Sequence, residues 1–195
     1  LVLPDDQYRP GDEPIPSEGA LVVERDPSGT WTLATVDYGQ RRVLRTAPDE
    51  LEAETMLIEY ALTTLPAPRQ VAPEDREAML GVAAPHLLDL ANRAQEGLLI
   101  DVPPGILLNR IGALDGIHLY PAETSFEARS LPPTALRSPV HEFITGDTLR
   151  MRVLVTAPWF GRPGGGLRFT IEDPALGIRD LVRSGGLIPV LPLTA

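Results

Sequence analysis

The stretch Ala157 to Phe169, "APWFGRPGGGLRF", gathers residue types that can do chemistry. Trp159 and Phe160 supply flat apolar rings able to stack on another flat ring. Arg162 and Arg168 supply planar guanidinium forks that match phosphate oxygens. Between them stand Gly164, Gly165 and Gly166, and consecutive glycines surrender more backbone freedom on folding than any other residues. Something must require backbone that bare. Either the glycine N–H groups line an anion-binding concavity, or "PGGG" is an ordinary wide turn between two strands. Arg129, in "TSFEARSLPPTAL", is a further guanidinium, placed either for a phosphate or to pair with Glu127 or Glu142 across a sheet.

Other chemistries find little support. No "GxGxxG" opens a helix, no "GxxxxGK[ST]" is present, and a strand rather than a helix follows the three glycines. The three histidines are scattered and no "HExxH" occurs, so no resident metal is expected. His86 lies beside leucines at helical spacing and reads as a packed or capping residue. No serine stands in "GxSxG". Glu172-Asp173 reads as a surface turn.

Composition narrows the field further. The 195 residues are 43% apolar, enough for a packed core. No run of eighteen apolar residues could span a membrane. Cysteine is absent, which removes disulfides and thiolate metal sites and leaves the compartment open. All seventeen basic residues are arginine, against twenty-seven acids, and a net charge of −10 argues against nucleic acid as a partner. Residues 1–99 hold eight arginines and eighteen acids, whereas 100–195 hold nine of each. That asymmetry predicts two units with different tasks. The chain begins at Leu1 without a leader and reads as a piece of a longer one.

The elements that must position these groups follow from pattern. Residues 1–18 are acidic and Pro-rich, a linker or arm. Residues 19–99 predict an N-terminal α+β unit. Three short β runs over 20–46 are divided by turns at Asp26–Gly29 and Asp37–Gln40. A helix follows Pro48, with Leu51, Met56, Leu57, Tyr60 and Leu62 mostly on one face. A second helical stretch from Pro73 is interrupted at Gly81 and Pro85, predicting two helices meeting at a bend. From 100 onward the texture predicts a compact, mainly antiparallel β module with one or two helices. "RMRVLVTA" alternates as a strand with Met151, Val153 and Val155 on one face, "GLRFTIED" is another strand, and "GIRDLVRSGGL" is a short helix ended by Gly185-Gly186. The fold class is therefore α+β.

Four segments in order, "LLNRIGALDGIHLYP", "TSFEARSLPPTAL", "APWFGRPGGGLRF" and "IRDLVRSGGLIPV", resemble the tuberculosis necrotizing toxin (TNT) family of NAD glycohydrolases over roughly 100–195. That family shows an Asp-Arg-aromatic-Gly opening, a Gly-x-aromatic turn ending in Pro, an "xxRxLPP" segment, and a "GGGxQ" loop before a strand. The resemblance implies a TNT-type domain that cleaves the ribose–nicotinamide bond of NAD+ or NADP+, with no cofactor beyond that substrate. It also implies a secreted toxin's effector end, or its precursor, and a cognate immunity protein as partner; a cytoplasmic place stays open. Cleavage of this bond needs no metal, because a cationic leaving group departs neutral while the ribose passes through an oxocarbenium-like state.

The resemblance assigns catalysis to Arg110 and His141, and to the position held by Arg168. It assigns substrate binding to Arg129, His118, Trp159, Phe160, Arg162, Gly164, Gly165 and Gly166. Departures are informative. Asn109 stands where the family has Asp, Ile111 and His118 where aromatics are common, and Arg168 where a glutamine is assigned to catalysis. A guanidinium only donates and is always positive, so beside an oxocarbenium it repels. The alternative reading is a module of the same fold that binds a nucleotide or protein partner without cleaving.

Overall fold

A computed structural model describes residues 20–37, 40–173 and 176–192. The chain divides between Leu62 and Thr63 into two units. The Pro-rich arm over 1–18 and the centre of the Asp37–Gln40 turn lie outside the described residues.

In the first unit, β1 (Leu21–Arg25), β2 (Trp31–Asp37) and β3 (Gln40–Ala47) form an antiparallel meander, followed by α1 (Glu50–Leu62). The β1–β2 turn closes because Asp26 accepts hydrogen bonds from the Ser28 and Thr30 N–H groups, while Gly29 takes a φ of 92°. Asp49 caps α1 by accepting from the Glu52 N–H at 2.9 Å. Met56, Leu57 and Tyr60 pack with Leu33 and Leu44 as expected, but Leu51 and Leu62 of the same helix point outward. A small three-stranded sheet covers only one narrow stripe of a helix, so the helix ends stay uncovered.

The second unit begins with β4 (Arg69–Val71) and α2 (Pro73–Arg93). It continues through β5 (Leu98–Val102), β6 (Leu107–Ile111), β7 (His118–Pro121), the single turn α3 (Phe126–Arg129) and a 3-10 turn at Pro133–Arg137. Next come β8 (Val140–Thr145), β9 (Leu149–Val155), β10 (Leu167–Ile171), α4 (Ile178–Ser184) and β11 (Leu187–Pro192). Eight strands form one sheet in the order β4-β11-β8-β6-β7-β10-β9-β5, antiparallel except for the β4–β11 pair. The fold is α+β.

Strand alternation sorts the side chains. Register places Leu108, Leu119, Phe143, Phe169, Val153 and Met151 on one face, where they form the main core with Ile178, Leu181 and Val182 of α4. Met151, Val153 and Val155 share that face, as the sequence pattern predicts. Truncating a buried Phe such as Phe143 or Phe169 to Ala costs about 3–5 kcal/mol in cores of this kind.

Two expectations are corrected. The break does not fall near residue 99, because β4 pairs with the last strand and α2 lies on the same sheet. Residues 63–99 therefore belong to the β module. The acidic excess follows the true division, with five arginines against thirteen acids up to Leu62 and twelve against fourteen beyond it. Nor does α2 break at Gly81 or Pro85; it runs unbroken from Pro73 to Arg93. Ala83, Leu87, Leu90, Ala91 and Ala94 recur at helical spacing and pack into the core. That packing outweighs the proline's local penalty of about 3 kcal/mol.

Candidate functional site

The connection between β9 and β10 carries the residues singled out above, and its backbone explains their composition. Trp159 and Arg162 exchange two backbone hydrogen bonds, and Phe160 and Gly161 between them have φ values of 51° and 70°. This is a two-residue turn with both central residues left-handed. Glycine suits such a position, whereas a phenylalanine there is uncommon and strained. The Phe160 ring stacks on Trp159 at 4.4 Å between centroids, and Trp159 remains 63% exposed.

The three glycines then meet α3. The Gly164 N–H donates to the Glu127 carbonyl, Gly165 to Thr156 and Gly166 to Ala128. A Cβ on Gly164 would lie 2.4 Å from the Thr156 carbonyl oxygen, and one on Gly166 would lie 2.8 Å from that of Ala128. Gly164 and Gly166 are bare because they are pressed between the end of β9 and α3, whereas Gly165 has open space around it and a left-handed φ of 91°. The N–H groups of the triplet are engaged by protein carbonyls, so the expected anion concavity at Gly164, Gly165 and Gly166 is not formed.

What the glycine clamp does is hold α3 against the sheet. Ser125 caps this single turn by accepting from the Ala128 N–H at 3.2 Å. Arg129 is buried, its guanidinium 5.0 Å from the centre of the Tyr120 ring. Its Nε and Nη2 both donate to the Thr124 carbonyl, at 3.0 and 2.6 Å. Neither carboxylate named for it is its hydrogen-bond partner in these contacts. Glu142 is held bidentately by Arg76, which also reaches Glu123. Arg129 braces the turn and adds positive charge. Arg162 lies with its guanidinium 4.6 Å from the centre of the Phe126 ring, on the same turn.

Beside α3 the sheet forks. His118 and Leu119 of β7 pair with β10, whereas Tyr120 and Pro121 pair with β6. His118, Tyr120, Asn109, Thr170 and Arg168 share the face opposite the main core. His118 Nδ1 and Thr170 Oγ1 are 2.9 Å apart and share a hydrogen bond. Asn109 donates to the Ala122 carbonyl, leaving its buried Oδ1 without a partner. The Nε atoms of Arg162 and Arg168 are buried and likewise lack an acceptor, and no carboxylate pairs with either arginine among the described residues. An unmatched buried donor costs about 1–3 kcal/mol, which an acceptor on a bound molecule would recover.

The remaining expected catalytic residues lie elsewhere. Arg110, 1% exposed, projects to the core face. Its guanidinium donates to the Ala113 and His118 carbonyls. It fills the space beside Gly116, where a Cβ would come within 2.2 Å of it. Arg110 is a strut that fixes the β6–β7 connection. His141 is its cross-strand neighbour on β8. Burial first, and the Arg110 charge second, hold the His141 imidazole below its ordinary pKa. It lines a largely apolar cavity of about 260 Å³ with Leu65, Leu114, Phe143, Val182 and Pro189. The structure thus sets Arg129 and Arg162 on α3 and Arg168 and His118 on the adjoining face of β10 and β7, while the side chains of Arg110 and His141 take the other face. His86 is exposed on α2 rather than packed, at the mouth of a 230 Å³ apolar cavity. Tyr120 escaped sequence reading, although its two-residue spacing from His118 in "HLYP" places both on one face.

No curated protein matches the chain. A solved structure of tuberculosis necrotizing toxin complexed with its immunity factor is 30% identical, covering 47% of this chain and 54% of that one, with a TM-score of 0.42. This chain thus spans about half of that one. The family model described as tuberculosis necrotizing toxin matches residues 101–190, the segment that holds β6 to β10, the glycine clamp and the arginines around α3. Residues 101–190 belong to the tuberculosis necrotizing toxin family.

Proposed function

We propose that the TNT domain binds NAD+ or NADP+ on the face of His118, Thr170 and Arg168 and hydrolyses its ribose–nicotinamide bond. One observation carries this reading: two guanidinium groups, on Arg162 and Arg168, keep buried donors without acceptors on a face that also presents an imidazole and a hydroxyl. Phosphate oxygens supply the missing acceptors. Trp159 and Phe160, stacked and exposed at the adjoining turn, supply a surface for a base or the nicotinamide ring. Arg129 holds α3 and its charge beside them. A cognate immunity protein belongs to the same reading.

The chemistry asked of these groups is modest. The C1′–N bond breaks with its electron pair passing to the ring nitrogen, so nicotinamide leaves neutral and the ribose becomes an oxocarbenium-like cation. Water adds to C1′ and loses a proton. If His118 Nδ1 donates to Thr170, its Nε2 is the acceptor side and can take that proton. Arg168 works against this step, since its fixed positive charge opposes the charge growing on the ribose. Tighter binding of the ground state than of the transition state slows turnover. A charge about 4 Å away in a surface cleft changes the barrier by up to roughly 4 kcal/mol.

The test mixes the full chain with NAD+ and follows cofactor loss and nicotinamide release. We expect slow turnover by the parent, and faster turnover with weaker binding for Arg168→Gln. Rapid cleavage by the parent that Arg168→Gln abolishes would make Arg168 a working catalytic residue. A second reading, binding without cleavage, is favoured by Arg168 itself; it predicts nucleotide binding with no nicotinamide released by either protein.

A further inference from the structure

The charge around α3 is one-sided, and we infer that the site selects dinucleotides whose nicotinamide ring is neutral or absent: ADP-ribose and the reduced cofactor bind in preference to the oxidised one. This rests on the dinucleotide reading above and ranks the ligands within it.

Arg162 and Arg168 present guanidinium groups with no carboxylate partner among the described residues. Arg129, buried on the same single turn that Arg162 covers, adds a third positive charge. The neighbouring acids are largely neutralised elsewhere. Glu142 and Glu123 are tied to Arg76, Glu172 to Arg152, and Asp101 to Arg150. Glu127 of α3 is exposed to solvent, whose high dielectric constant weakens its field. The remaining groups on the face, His118, Thr170, Tyr120 and Asn109, supply no fixed negative charge.

All three ligands carry the same pyrophosphate, so the contacts made by the arginine forks are common to them. They differ at the ring. The oxidised cofactor brings a pyridinium cation into a field of guanidinium charge, the reduced cofactor brings an uncharged dihydropyridine, and ADP-ribose brings only a hydroxyl. Arg129 and Arg162 meet on the single turn of α3, and Arg168 follows by two residues the Gly166 that is bonded to Ala128, so all three act on the ring from within about one Debye length, roughly 8–10 Å. Hydrolysis therefore converts a ligand that the site disfavours into one that it favours. Nicotinamide departs neutral, and ADP-ribose stays with its two phosphate charges intact.

The full chain is titrated with ADP-ribose, with NADH, and with carba-NAD+, which keeps the pyridinium but lacks the ribose ring oxygen needed for cleavage. At an ionic strength of about 20 mM, ADP-ribose and NADH should bind about tenfold more tightly than carba-NAD+. The ratio should fall towards one in high salt and in Arg168→Gln. Arg162→Gln provides the same measurement should the first variant fail to fold. Binding of carba-NAD+ as tight as that of ADP-ribose or tighter overturns the charge selection. Failure of all three ligands to bind the folded chain overturns the dinucleotide reading itself.

Discussion

Arg110 and Arg168 occupy opposite faces of one sheet and show two ways of keeping a guanidinium in a folded protein. Arg110 is enclosed, with carbonyls of the β6–β7 connection as its acceptors. Arg168 is half-buried with an Nε that no protein group accepts. The first is matched by the fold, whereas the second has no match within it. The arginine that fits a family pattern is here the structural one, and the arginine that departs from it is the one the proposed function sets against a phosphate. A motif identifies a position in the chain; which face of the strand that position takes decides whether it meets substrate.

This contrast can be broken by stability measurements on the second unit. Arg110→Met should cost about 3 kcal/mol, because it strands buried carbonyls that the guanidinium now satisfies. A midpoint of urea denaturation unchanged from the parent would remove Arg110 from the role of strut. Gly116→Ala should cost about 2 kcal/mol by displacing that guanidinium, and should add little once Arg110 is already Met. Full additivity in that double variant would mean that the two residues do not share one space. Arg168→Gln should change stability by no more than about 1 kcal/mol, since it breaks no hydrogen bond or ion pair of the protein. A large loss would place Arg168 among the structural residues.

The smallest effect sharpens the comparison through pH. His141 beside Arg110 has its folded pKa below the ordinary 6.5. The unfolded chain therefore binds this proton first as pH falls, and the contribution of His141 to stability declines from about pH 6.5 downwards. The denaturation midpoint should drop over that range, and His141→Gln should flatten the drop. An identical pH dependence in parent and variant would show that His141 does not carry it.

Strands β9 and β10 were legible because Met151, Val153 and Val155, and then Leu167 and Phe169, alternate strictly. The end of α4 was legible because Gly185 takes the left-handed conformation that such an end requires. The aromatic pair and the two arginines of the β9–β10 connection were legible as a group. The glycine triplet was legible as a demand for close approach, but not its object: whether bare backbone faces a ligand or α3 depends on where Ala128 lies in space. The extent of α2 was hidden because Gly81 and Pro85 are local signals, whereas the packing that overrides them is not. The β4–β11 pair, Val190 beside Arg69, joins residues far apart in sequence and leaves no local trace.

That pair bears on how this protein can be cut. The family match begins at residue 101, yet the sheet is closed at one end by a strand near residue 70 and backed by α2. A fragment trimmed to the match would turn β11 into a bare margin and uncover the apolar side chains now beneath α2. Such a margin recruits other chains. The smallest piece that keeps this sheet whole therefore starts near Thr63, and a shorter one should precipitate for reasons unrelated to whether its site is intact.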